Sequence, residues 1–238
     1  HTGLAREVAR QSIVLLKNKD KLLPLKKDIR TLAVIGPNAD NVYNMLGDYT
    51  APQADGTVVT VLDGIRQKVS KETRVLYAKG CAVRDSSRTG FKDAIETARN
   101  ADAVVMVMGG SSARDFSSEY EETGAAKVTI NQISDMESGE GYDRATLHLM
   151  GRQLELLEEI SRLGKPVVLV LIKGRPLLME GAIQEAEAIV DAWYPGMQGG
   201  NAVADVLFGD YNPAGRLTLS VPRSVGQLPV YYNTRRKG

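Results

Sequence analysis

Two patterns of apolar positions alternate along this chain. Short, almost wholly apolar runs recur at Thr31 to Ile35 (closed by Gly36-Pro37), Thr73 to Ala78, Ala103 to Met108, Pro166 to Ile172 and Ala188 to Ala192. Runs this short with no polar face predict strands buried on both sides, the mark of a parallel sheet. Between them, Val61 to Val69, Phe91 to Asn100, Leu149 to Leu163 and Leu178 to Ala186 carry apolar residues at helical spacing. Strands alternating with amphipathic helices predict an α/β fold: a mainly parallel sheet with helices on both faces, a three-layer α/β/α sandwich. At the front, Leu4, Val8, Ile13, Leu15 and Leu16 predict one helix from Leu4 to Lys17, ended by the Pro-punctuated Leu22-Leu23-Pro24-Leu25. Toward the end, Asn201 to Phe208 predicts a helix after Gly199-Gly200, and Leu217 to Val221, bounded by Pro222, predicts one more strand.

One segment breaks the alternation. Ser111 to Tyr142 is long, polar and rich in Ser and Glu, and it follows the strand ending at Met108-Gly109-Gly110. Long loops inside compact domains are usually functional, and open α/β sheets bind ligands at the carboxyl ends of their strands. Near its end stands Glu137-Ser138-Gly139-Glu140-Gly141-Tyr142-Asp143-Arg144. Glycine lets such a loop take unusual backbone angles and present a carboxylate without a bulky neighbour.

Composition narrows the chemistry. Thirty basic and 29 acidic side chains leave a net charge of +1, so no basic field exists to attract nucleic acid. No apolar run reaches the ~18 residues that would suggest a membrane span. Cys81 is the one cysteine, which excludes an internal disulfide and points to a small core or loop residue. His1 and His148 are too few for a His-rich metal site. With no break in composition, residues 1–238 read as one domain. A start at His1-Thr2-Gly3 and an end at Arg235-Arg236-Lys237-Gly238 read as cuts through a longer polypeptide.

Four constellations invite a chemical reading. Gly36 and Gly109-Gly110 follow strands, but neither belongs to a dinucleotide fingerprint or a phosphate loop, and Pro37 removes an N–H that a phosphate needs. Ser134-Asp135 lacks both a nucleophile elbow and a histidine. Glu137 and Glu140 are two carboxylates, yet three residues apart on one loop they cannot oppose each other across a sugar ring. One of them reads as half of a pair whose other half lies elsewhere. Trp193-Tyr194-Pro195-Gly196-Met197-Gln198-Gly199-Gly200 could stack on a sugar or bind an anion at a helix start. A strand-end turn with a buried Trp, followed by a closely packed helix, explains it better.

Taken together, these segments resemble glycoside hydrolase family 3, the β-glucosidase and β-xylosidase family, and within it the α/β sandwich that follows the catalytic barrel. The resemblance is carried by Ala5 to Asn18, Leu22 to Leu25, Val34 to Ala39, Ser138 to Arg144, Trp193 to Gly200, Ala204 to Gly209 and Asn212 to Leu217, in that order. It implies a retaining, exo-acting β-glycosidase, most simply a β-glucosidase acting on β-linked oligosaccharides or β-glucosides, with no metal or organic cofactor. It implies that Glu140 is the general acid/base, with Glu137 as runner-up, and that Asp48 and Tyr49 of Gly47-Asp48-Tyr49 line the substrate. Asp143-Arg144 would brace the loop. The aspartate nucleophile belongs to the barrel, so Ser134-Asp135-Met136, within the acid/base loop, is not its segment. Residues 1–20 would lead in from that barrel, against which the domain packs, and 224–238 would lead out. A xylosidase parent, or a purely structural or carbohydrate-binding role, is the alternative.

Overall fold

A computed structural model describes residues 1–113, 122–123 and 135–233. Most of the polar segment after Ser111, Ser134 included, lies outside the described residues, as do residues 234–238. The five apolar runs become parallel strands: β2 (Thr31–Ile35), β3 (Arg74–Ala78), β4 (Ala103–Gly109), β5 (Val167–Ile172) and β6 (Ala188–Trp193). Strands β2, β4 and β5 are buried at every position, which is why their sequences show no polar alternation.

The sheet has six strands, in the order β1-β6-β5-β4-β2-β3. The extra edge strand, β1 (Val14–Asn18), runs antiparallel to β6. This corrects the expectation of one helix from Leu4 to Lys17. Helix α1 covers Thr2–Ser12 only. Ile13 is fully buried, and the β-branched and apolar run behind it pairs with the open edge of β6. The face of α1 is also not the one its apolar residues suggested. Leu4 and Val8 are 68% and 61% exposed. Instead Arg6 turns inward, donating from Nε (2.7 Å) and Nη2 (2.5 Å) to the buried Asp205 carboxylate.

Helices cover both faces. One face, through Val34, Val105, Val170 and Val190, packs against α2 (Val61–Lys68) and α6 (Gly199–Leu207). The other, through Ile35, Met106, Leu169 and Ile189, packs against α3 (Phe91–Arg99), α4 (Gln153–Ser161) and α5 (Glu180–Glu185). Helix α2 opens with Thr60, whose hydroxyl accepts from the Asp63 N–H at 3.2 Å, an N-cap that satisfies one orphan donor. Cys81 is buried in the second core, and burial pushes its thiol up to about 12. Leu217 to Val221 forms no strand. Only Thr218 of its residues is exposed, the other four being half-buried, and the segment lacks a ladder partner among the described residues. The bond from the Gly215 N–H to the Ile13 carbonyl, at 3.1 Å, ties its approach to the body.

Topology places the site. From β2 the chain moves to β3 on one side, then crosses back to β4 on the other. The loops after β2 and β4 therefore leave neighbouring strands at the point where the winding reverses, the crevice where open α/β sheets bind ligands.

Candidate active site

Those two loops carry the residues singled out in the sequence. The loop after β2 holds Asp48 and Tyr49, and the loop after β4 holds Glu137 and Glu140. A buried polar relay joins them. Asn38 donates through Nδ2 to the carbonyls of Gly110 (3.0 Å) and Ile172 (3.2 Å). Its Oδ1 accepts from Asn44 Nδ2 at 2.7 Å, and Asn44 Oδ1 accepts from Ser111 Oγ at 2.6 Å. The Ser111 carbonyl then accepts from the N–H groups of Glu137 (2.8 Å) and Ser138 (3.2 Å). Asn38, Asn44 and Ser111 are all buried. A satisfied buried network of this kind fixes one arrangement, because breaking any member strands a polar group away from water. At the root of the second loop, the buried Gln153 accepts from the Gly109 N–H (2.9 Å) and donates to the Gly109 (2.9 Å) and Val83 (3.1 Å) carbonyls.

The relay brings Asp48, Tyr49 and Glu140 together. Tyr49 donates its hydroxyl to Glu140 Oε2 at 2.6 Å. Asp48 Oδ2 accepts from the Glu140 N–H at 3.3 Å, while Oδ1 accepts from the Tyr49 N–H at 2.8 Å. Asp48 thus bridges the two loops through Oδ2 and braces its own loop through Oδ1. Gly139 makes the approach possible: its φ is +114°, and a Cβ there would stand 2.8 Å from Asp48 Oδ2. Tyr49 is 76% exposed and holds φ at +57°. Left-handed backbone at a bulky, solvent-facing residue is a strained state that surrounding structure must impose, and such strain gathers at functional sites.

Glu137 and Glu140 part company here. Glu140 is exposed at the loop apex. Glu137 is buried with 2% exposure, and its Oε2 pairs with Arg144 Nη1. Arg144 also donates to the His148 carbonyl, so it does brace the loop. Asp143 is exposed. Of the two glutamates, then, Glu140 is open to solvent and Glu137 is not.

The Trp193 to Gly200 stretch packs more than it binds. Trp193 ends β6 half-buried, at φ +54°, where the sequence suggested a buried Trp. The N–H groups of Gly199 and Gly200 donate to the Gly196 and Val59 carbonyls at 2.9 and 3.0 Å, so neither is offered to an anion. Tyr194 next to Trp193 reaches the loop that carries Glu140, its hydroxyl 3.1 Å from Ser138 Oγ. Burial raises the Tyr194 phenol above its ordinary value.

Beneath the Trp193 ring lies a pair that the sequence reading missed. Lys173 Nζ sits 2.7 Å from Asp191 Oδ2 and 3.7 Å from the centroid of that ring. Both side chains are almost fully buried. Burial pulls the Lys173 ammonium below its ordinary value and pushes the Asp191 carboxyl above its own, each partly opposed by the other's charge. The signal was a lone aspartate inside the apolar run Ala188 to Trp193 and a lysine directly after Ile172.

Among the described residues no helix is long and apolar enough to cross a membrane. Residues 13–238 match the family model for the glycosyl hydrolase family 3 C-terminal domain. A β-xylosidase from Formosa agariphila is 43% identical over 99% of this chain and 30% of its own length. A periplasmic β-glucosidase from Salmonella typhimurium is 39% identical over 100% of this chain and 31% of its own. Among solved structures, a β-glucosidase from Erythrobacter marinus superposes with a TM-score of 0.80 at 37% identity, over 98% of this chain and 31% of that one. The chain thus spans about three tenths of the length of these relatives.

Proposed function

Because this chain belongs to glycosyl hydrolase family 3, as a C-terminal domain of that family, we propose that it supplies the acid/base carboxylate of a retaining, exo-acting β-glycosidase, and that this carboxylate is Glu140. One observation carries the reading: Glu140 stands exposed at the apex of a loop at the winding reversal, with the Tyr49 hydroxyl on its side chain and Asp48 on its N–H. In the first step protonated Glu140 gives its proton to the glycosidic oxygen while an aspartate of a barrel domain in the same polypeptide attacks the anomeric carbon. In the second, ionised Glu140 takes a proton from water, which attacks the glycosyl-enzyme. Retention requires the two carboxyl groups about 5–5.5 Å apart, so the exposed apex is the part of this chain that meets the barrel. Residues 1–238 act in this reading as one α/β sandwich, and Tyr49 and Asp48 flank the bound sugar.

The glycone is most simply glucose, hydrolysed from the non-reducing end of a β-glucoside. A xylosidase is the second reading, favoured by the name of the 43% identical relative. The test uses the intact glycosidase that contains this chain. Wild type and Glu140→Gln are compared on β-glucosides and β-xylosides with a poor and a very good leaving group. The expected result is a loss of roughly 10²–10⁴-fold in kcat/KM on the poor leaving group, with glycosyl-enzyme formation on the good one close to wild type. A small, equal change on both would leave this domain a scaffold. The better-hydrolysed glycone decides between the two substrates.

A further inference from the structure

We propose that Glu137 is a positioning residue for the acid/base carboxylate, acting through a buried clamp it forms with Arg144 and Arg175. This rests on the reading of Glu140 given above. Residues 137 to 144 form a loop closed at its base by the Glu137–Arg144 ion pair, whose side chains are 0% and 5% exposed. From the opposite side Arg175, just past β5, places Nε 3.8 Å from Glu137 Oε2 and donates through Nη2 to the Tyr142 carbonyl at 3.2 Å. Arg144 extends the hold to the His148 carbonyl. One carboxylate thus gathers two guanidinium groups that grip residues 142, 144 and 148, and Gly139-Glu140-Gly141 is left as the exposed tip.

Glu137 cannot reach a substrate itself. Its other oxygen, Oε1, is buried and accepts no hydrogen bond among the described residues. It fills the space that Gly110 leaves open, where a Cβ would stand 1.9 Å away. A buried carboxylate survives there because the arginines pair with it. Neutralising it leaves the Arg144 guanidinium buried without its counter-charge, and the base of the loop loosens. Proton transfer to a glycosidic oxygen is sensitive to such loosening, since misplacing a catalytic group by ~1 Å can cost about 10²-fold.

The test is a leaving-group comparison in the intact glycosidase, reading kcat/KM, which reports the steps through glycosyl-enzyme formation. Glu137→Gln, Glu140→Gln and wild type are assayed on a poor-leaving-group alkyl β-glycoside and on the 2,4-dinitrophenyl β-glycoside. A positioning role predicts that Glu137→Gln loses roughly 10²-fold on the alkyl substrate and little on the dinitrophenyl one, which needs no protonation. A merely structural role lowers the active fraction and therefore both substrates equally, and that result overturns the proposal, as does wild-type behaviour on both. A split in Glu140→Gln without one in Glu137→Gln overturns the clamp alone. A split in Glu137→Gln without one in Glu140→Gln makes Glu137 the acid and overturns both readings. Should Glu137→Gln fail to fold, Arg144→Lys, which keeps the charge and loses the fork, carries the test: a weaker split is expected, and an equal loss refutes.

Discussion

Replacing Lys173 by Met should destabilise this chain severely, and most of the damage should be undone by a second substitution. Lys173 and Asp191 are 2% and 1% exposed, with Nζ and Oδ2 2.7 Å apart. Removing one partner of such a pair leaves the other charge buried and uncompensated, at a cost of about 3–5 kcal/mol. Lys173→Met also removes the cation from beneath the Trp193 ring, an interaction worth ~2 kcal/mol when desolvated. Part of this loss is already within the first figure, so the two are not summed. Changing Asp191 to Asn as well removes the stranded charge while keeping Oδ1, which accepts from the Trp193 N–H at 3.3 Å. Replacing both charges of a buried pair is often close to neutral, so the double variant should recover more than half of the loss.

Trp193 is the chain's one tryptophan and touches the perturbed ammonium, so its fluorescence reports both the local change and global unfolding. Urea unfolding followed by fluorescence and by far-ultraviolet circular dichroism gives the stability difference. With a slope of ~3 kcal/mol/M, the Lys173→Met midpoint should fall by about 1–2 M. A shift under about 0.3 M, or a double variant no more stable than Lys173→Met, would refute the claim that an unpaired charge dominates at this position.

Two further outcomes follow from electrostatics and burial. Burial alone raises the Asp205 carboxyl, but hydrogen bonds from Arg6 and Lys68 outweigh it and hold the carboxyl below its ordinary value, while Lys27 and Lys68 hold Asp210 at about 2. A carboxyl depressed in the folded state contributes stability above its unfolded value, near 3.8, and loses it as pH falls through the folded one. Thermal stability should therefore drop between about pH 4 and pH 2, less steeply in Lys68→Met, as read by scanning calorimetry. Buried Cys81, its thiol raised to about 12, should not react with a disulfide reagent at pH 8 until urea unfolds the chain. Fast labelling of the native chain would contradict that assignment.

The strands most legible in the sequence are those buried on both faces, because a parallel strand between two helical layers has no polar side to confuse the pattern. Strand β1 was hidden by the opposite circumstance. It follows α1 after Ile13 alone, and its pairing with β6 is decided by an open edge 170 or more positions away in the chain. The inward face of α1 was hidden for a similar reason, since Asp205 outweighs Leu4 and Val8 only once folding brings it to Arg6. At the candidate site, glycines around a carboxylate singled out the loop but could not say which glutamate is exposed. Glu137 and Glu140 differ by three positions, and their separation in burial comes from Arg144, Arg175 and the open space at Gly110. Asn38 and Asn44 carry no spacing signal. Their importance lies in joining two loops whose adjacency follows from the strand order.

On the proposed reading, that joining explains how a polar loop can hold Glu140 in one place. A loop tied down only at its strand would let Glu140 wander over several ångströms, too far for proton transfer at a fixed oxygen. Here the tip is held from three directions. The relay from Asn38 through Asn44 and Ser111 fixes the backbone of Glu137 and Ser138. The arginines fix the descending limb through Tyr142 and His148. Tyr194 touches Ser138 from β6, and its neighbour Trp193 is in turn seated on the Lys173–Asp191 pair. These anchors originate at the ends of β2, β4, β5 and β6, so the rigidity of the sheet is passed to the loop by side chains rather than by secondary structure. Weakening any one anchor should then change how the tip is placed before it changes whether the sheet forms, and the leaving-group split is the measurement that separates the two.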